Sequence, residues 1–104
     1  MNENDIAAFE SKARQASDLL KAMANQNRLM ILCHLLDGEA SVNALAEAVG
    51  MSQSALSQQL GKLRALGLVE TRRDGQQIYY SLAAQEVEQV LQTLYGIYCA
   101  SGKG

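Results

Sequence analysis

Hydrophobic side chains recur at spacings of three and four over residues 5–24: Ile6, Phe9, Ala13, Ala16, Leu20 and Met23. That period predicts one amphipathic helix, with Asp5 as its candidate N-cap. Asn25, Gln26 and Asn27 interrupt it. Residues 28–36, RLMILCHLL, predict a second helix that is apolar almost all round, the pattern of a helix central in a core. Gly38 is its stop signal. Ser41 caps a short helix over VNALAEAV, which Gly50 ends. Ser52 caps a longer one over QSALSQQLGKLRAL, with Ala55, Leu56, Leu60, Leu63 and Leu66 as its apolar positions and Gly67 as its end. The turn Gly50-Met51-Ser52 joins the two, so residues 41–66 match a helix-turn-helix.

The period then changes. Residues 68–73 and 76–82 predict two strands, with Ile78, Tyr80 and Leu82 alternating onto one face. Asp74-Gly75 between them is a hairpin signal, because both turn positions tolerate positive φ. Residues 84–100 return to a helical period through Val87, Val90, Leu91, Leu94, Ile97 and Tyr98. The tail SGKG is expected to be mobile. The fold class is mainly α with a small β-hairpin, in the order α-α-α-α-β-β-α. A helix-turn-helix followed by a hairpin wing (residues 68–82) is a winged helix, here a single domain over residues 1–104. The helices over 5–24 and 84–100 carry apolar stripes that a chain of this size does not cover alone. Pairing across a two-fold axis covers both, so a homodimer is expected.

Composition narrows the function. The chain has 104 residues, 48% of them apolar, which suits one globular domain. Proline is absent, so nothing forces a kink. No apolar run approaches the ~18 residues of a spanning helix. The start MNENDIAAFE lacks the basic and apolar stretches of a signal peptide. A cytoplasmic protein with no membrane partner is expected, in which two cysteines are reduced, metal-binding or redox-active rather than a permanent staple.

Nine Lys and Arg against eleven Asp and Glu give a net charge of −2, which is not that of a basic nucleic-acid binder. The distribution is uneven. Residues 1–50 sum to −3, residues 51–82 to +2 and residues 83–104 to −1. The single basic segment holds the helix-turn-helix and the hairpin, and distribution is a better footprint than the total.

Gln53, Ser54, Ser57 and Gln58 at the front of the second motif helix are uncharged donors and acceptors. Ser54, Ser57 and Gln58 share one face by their spacing. A recognition helix presents such residues to base edges in the major groove, where Gln pairs with adenine and Ser serves either base. Lys62 and Arg64 suit phosphates. Arg72, Arg73, Gln76 and Gln77 surround the hairpin tip, where a wing meets phosphates or a minor groove. A plainly solvated helix face and turn is the competing reading. The capped motif, the basic hairpin and the local charge reversal together favour double-stranded DNA.

These residues resemble a family. LLKAMANQNRLMILCHLL followed by SVNALAEAVGMSQSALSQQLGKLRALGLVETRRDGQQIYYSL is similar to the ArsR/SmtB family of winged-helix repressors, over residues 15–100. The resemblance implies a dimer through the first and last helices, a palindromic operator and an effector that changes operator affinity. Metal sensors of the family carry a Cys-x-Cys pair in the first motif helix, or Asp-x-His and His-x-x-Glu ligands on the last helix. Here VNALAEAV holds no Cys, His or Asp, and QEVEQVLQTLYGIYC holds no His. Cys33, Cys99 and His34 are a thin set for zinc, which takes four N or S ligands or three plus water. No metal or other cofactor is expected.

Cys33 and Cys99 match a different branch, the dithiol sensors of reactive sulfur, which include sulfide-responsive and biofilm-associated repressors and HlyU-type regulators. One Cys lies on the second helix and one at the end of the last helix, as here. The resemblance implies that per- or polysulfides link the two thiols and that the linked form releases the operator. Read from the residues alone, Cys33 is also a small buried hydrophobe, and Cys99 an inert thiol near a helix end. Three alternatives stay open: a metal- or metalloid-responsive repressor, a regulator that activates by displacing another repressor, and an interaction module without DNA. Catalysis is not expected, since the one histidine is poorly aimed at Cys33 and no carboxylate pair is evident.

Overall fold

The computed structural model describes residues 1–99. The tail expected to be mobile, residues 101–104, lies outside them. The element order is α1 (Glu3–Glu10), α2 (Ala13–Met23), α3 (Gln26–His34), β1 (Ala40–Ser41), α4 (Val42–Val49), α5 (Gln53–Ala65), β2 (Val69–Asp74), β3 (Gln77–Leu82) and α6 (Gln85–Tyr98).

The first expected helix is two. Ser11 Oγ donates to the Ala8 carbonyl at 2.8 Å, and the Lys12 N–H bonds back only three residues to Phe9. A serine that satisfies the backbone locally competes with the helix ladder, and the chain restarts at Ala13. The N-cap is Asn2 rather than Asp5. Asn2 Oδ1 accepts the Asp5 N–H at 2.8 Å, and the Asp5 carboxylate accepts the Asn2 N–H at 3.3 Å, a reciprocal capping box. Asn25 caps helix α3, its side chain accepting the Arg28 N–H at 3.1 Å. It tightens into a 3-10 turn over Leu35–Asp37 before Gly38 turns the chain at φ +129°.

The motif caps stand where the sequence puts them. Ser41 Oγ accepts the Ala44 N–H and Ser52 Oγ the Ala55 N–H, both at 3.2 Å. Gly50 ends α4 in the left-handed region at φ +71°. The hairpin is shifted slightly. Asp74 pairs with Gln77, so the two-residue loop is Gly75-Gln76 rather than Asp74-Gly75. Gly75 takes the positive φ and Asp74 stays in the ladder. Each β2 residue thus meets a partner two positions further on, which keeps Ile78, Tyr80 and Leu82 on one face. A third strand joins the sheet: β1 pairs antiparallel with β3, Ala40 with Tyr80 and Ser41 with Tyr79. The strand order is β1-β3-β2.

The core is built by α3, α4, α5 and α6 with the sheet base and the end of α2. Ile31, Leu32, Leu45, Leu56, Leu60, Leu63 and Val87 are fully buried, with Met23, Leu35, Leu68, Val69 and Leu91 beside them. Helix α3 is central, but not on every side, since Met30 lies open. Helix α1 buries nothing: Ile6 and Phe9 are exposed, as are Leu20 on α2 and Tyr95, Ile97 and Tyr98 on α6. No helix among the described residues is long and apolar enough to cross a membrane.

Candidate functional site

Helices α4 and α5 pack on each other across the Gly50-Met51-Ser52 turn. Leu56, Leu60 and Leu63 pin the inner face of α5 in the core. The opposite face presents Ser54, Ser57 and Gln58, all exposed. Gln53 is also exposed, but its amide donates to Asn43 Oδ1 on α4, so it also braces the two motif helices. Lys62 and Arg64 are exposed in the last turn of α5, where cations also favour the carbonyl end of the helix dipole.

A tight turn through Gly67, at φ +80°, leads from α5 into β2. Arg73, Gln76 and Gln77 are exposed at the wing tip. Arg72 differs from its neighbour. Its Nε donates to Glu39 Oε2 at 3.1 Å and its Nη2 to Glu39 Oε1 at 2.5 Å. Its Nη1 lies 3.9 Å from Asp74, and its guanidinium carbon 4.9 Å from the centroid of the Tyr79 ring. The hydrogen bond from Arg72 is the main cause that holds the Glu39 carboxyl below its usual range, and the same bond pushes Arg72 up.

Sequence reasoning missed Glu39, Asn43 and two further residues. Arg28 Nε donates to Gln59 Oε1 and its Nη1 to the Ala22 carbonyl, both at 3.1 Å. These partners are 31 and 6 positions away, and no local spacing announces either contact.

The two cysteines stand on neighbouring helices. Cys33 lies on α3, half-buried, and Cys99 ends α6, exposed; both are free. Helices α3 and α6 pack together. Burial, and after it the charge of Cys99, push the Cys33 thiol above its ordinary value. Cys33 lines a cavity of about 390 Å³ with Leu36, Asp37, Leu91, Gln92 and Tyr95. Cys99 is one turn beyond Tyr95, donating its N–H to the Tyr95 carbonyl at 2.8 Å. Among the described residues no three His, Cys, Asp or Glu side chains gather as a metal site.

A capped helix-turn-helix with a polar outer face, followed by a basic antiparallel wing, defines a winged helix-turn-helix protein. Residues 25–71 match the arsR family of bacterial regulatory proteins. The chain is 44% identical over 99 residues to the transcriptional activator HlyU of Vibrio cholerae, covering 95% of this chain and 92% of that protein. A solved structure of reduced HlyU from that organism superposes with a TM-score of 0.82 at 48% identity, over 88% of this chain and 97% of that one. The transcriptional repressor BigR of Xylella fastidiosa superposes with a TM-score of 0.86 at 42% identity, over 95% and 98% of the chains. A homodimeric winged helix-turn-helix DNA-binding domain from Mycobacterium bovis, Mb0332, superposes at 0.69 with 35% identity, over 93% and 86%. The chain belongs to the ArsR family of bacterial transcriptional regulators, in which HlyU is an activator and BigR a repressor.

Proposed function

We propose that this chain is a homodimeric transcriptional repressor, one winged-helix domain over residues 1–104, whose operator affinity falls when reactive sulfur links Cys33 to Cys99. Double-stranded DNA is read by Gln53, Ser54, Ser57 and Gln58 and held by Lys62, Arg64 and the wing.

The dimer reading is supported by surface and shape. The Cα radius of gyration is 15.6 Å, against about 13 Å for a compact chain of this length. Helix α1 buries none of its own residues, and apolar side chains stand open on α1, α2 and α6. The M. bovis neighbour is homodimeric. A two-fold axis sets the recognition helices against half-sites about 34–36 Å apart, and a palindromic operator follows from it.

The observation that carries the switch is that Cys33 stands on α3 and Cys99 caps the end of α6, two helices that pack together. Cys33 is half-buried and Cys99 exposed, so a reagent meets Cys99 first and Cys99 attacks first. An organic polysulfide RS–Sn–SR loses one RS⁻ to that attack. Cys33 then displaces the second, and the product is Cys33–S–Sn–S–Cys99 with two RSH. The protein loses two hydrogens and gains n sulfurs; the thiols are oxidised and the polysulfide ends are reduced. The cavity beside Cys33 leaves room for the inserted sulfurs. The link ties the helix that precedes the motif to the helix that carries the dimer surface, and so alters the spacing of the recognition helices.

A second reading, activation by displacement of another repressor, is favoured by the description of the V. cholerae relative as an activator.

Intact mass after polysulfide treatment tests the chemistry, beside peroxide and disulfide controls. The expected product is minus two hydrogens plus whole sulfur atoms, absent in Cys33→Ser and in Cys99→Ser. Unchanged mass, or independent capping of each thiol, overturns the switch and leaves the winged-helix assignment standing.

A further inference from the structure

Arg72 and Arg73 are adjacent on β2 and identical in charge, yet the fold treats them differently. Successive strand residues point to opposite faces, so the two guanidinium groups diverge. Arg72 faces the side of its cross-strand partner Tyr79, which in turn pairs with Ser41 on β1. There it is engaged on three sides: the Nε/Nη2 edge by the Glu39 carboxylate, Nη1 by Asp74, and one face by the Tyr79 ring. The Glu39 contact is a two-pronged, charge-assisted pair, the same geometry in which Arg grips a phosphate. A phosphate would have to displace it. Arg73 makes no ion pair among the described residues.

The anchor point matters. Glu39 lies between the 3-10 turn that follows α3 and strand β1, immediately before the motif. The Glu39–Arg72 contact therefore fastens the wing to the segment that leads into the helix-turn-helix, 33 positions away. It is exposed, so it adds little to stability. Its value is geometric: a fork held on a carboxylate and stacked on a ring fixes direction as well as distance.

We propose that Glu39 is a positioning residue for the wing: it makes Arg72 a strut rather than a DNA contact, and leaves Arg73 as the phosphate-binding cation of the hairpin. This rests on the reading of the hairpin as a DNA-contacting wing.

The test is the salt dependence of affinity for a mixed-sequence DNA duplex. Each neutralised phosphate contributes about −0.9 to the slope of log K against log salt. Arg73→Gln removes one such contact per protomer and two per bound dimer, so it makes the slope shallower by about 1.8. Arg72→Gln and Glu39→Gln leave the slope unchanged and lower affinity by the same factor at every salt concentration. The double variant is no worse than either single one. A slope is a ratio within one variant, so a small loss of folded protein does not mimic it. A shallower slope in Arg72→Gln, a gain of affinity in Glu39→Gln, or no change in either overturns the proposal. A wild-type chain with no salt-dependent affinity overturns the DNA reading itself, and a normal wild-type slope beside any of those three results overturns the strut alone.

Discussion

Arg28 Nε donates to Gln59 Oε1 at 3.1 Å while Nη1 of the same guanidinium donates to the Ala22 carbonyl. Arg28 is in the first turn of α3, Gln59 in the middle of α5 and Ala22 near the end of α2. One half-buried side chain thus ties three helices and fixes α5 beside the residues that face outward. Arg28→Ala is expected to lower unfolding free energy by about 1–2 kcal/mol, read by chemical denaturation. Arg28→Lys recovers little, because a single ammonium does not reproduce a planar fork spanning two acceptors. Full recovery by Lys would show that charge alone is at work.

Gln58 separates base reading from phosphate holding. Gln58→Ala is expected to cost about 1–3 kcal/mol at one base pair and to flatten preference there, with the salt slope unchanged. Binding to a set of single-base variants of a selected duplex measures this. Uniform weakening across the set would place Gln58 on the backbone instead.

Phe9 and Ile97 are exposed in the single chain, on helices α1 and α6. Phe9→Ser and Ile97→Ser are expected to leave the protomer within about 0.5 kcal/mol of wild type, as exposed substitutions do. At a dimer surface a buried apolar anchor is worth about 2 kcal/mol, and a two-fold interface loses two copies, so the dimer dissociation constant rises about a thousandfold. Sedimentation over a concentration series checks it. An unchanged constant in both variants would move the interface elsewhere.

Cys33 gives a pH signature. Burial first, and the charge of Cys99 second, raise its thiol above the ordinary value. Alkylation needs the thiolate, so its rate profile should rise at higher pH than that of a free cysteine. In Cys99→Ser the midpoint falls only part of the way back, because burial remains. The sign for stability follows: the folded state holds the proton more tightly, so this contribution is present below the ordinary pKa and fades as pH rises through the folded one. Mass-resolved alkylation rates supply both curves.

Much of this fold was legible because its signals are local. Ser41, Gly50, Ser52 and Gly67 punctuate the motif by side-chain caps and positive φ, and each acts within a few residues. The break at Ser11–Lys12 was hidden, because the apolar spacing runs on through it while a serine hydroxyl takes the helix acceptor. Strand β1 has two residues, too few to show an alternation. The hairpin loop moved by one position: Gly75, at positive φ, is its first residue, and Asp74 stays in the ladder opposite Gln77. Arg28, Glu39 and Asn43 were silent for a different reason. Their partners lie 31, 33 and 10 positions away, and only the packed fold brings them together. For the same reason Arg72 and Arg73 look equivalent in sequence and are not equivalent in the sheet.

If a link between Cys33 and Cys99 governs DNA affinity, reduced and linked protein must differ on the same duplex. The most direct measurement compares reduced and polysulfide-linked protein on one duplex, selected from random sequence by the reduced protein, at matched salt. Coupling between an effector and a binding site typically runs to about 1–3 kcal/mol, so the linked form should bind about 5–150-fold more weakly. Cys33→Ser and Cys99→Ser should bind as the reduced protein does, before and after treatment. Equal binding by the linked and reduced forms, or the same loss in either single variant, would contradict the account.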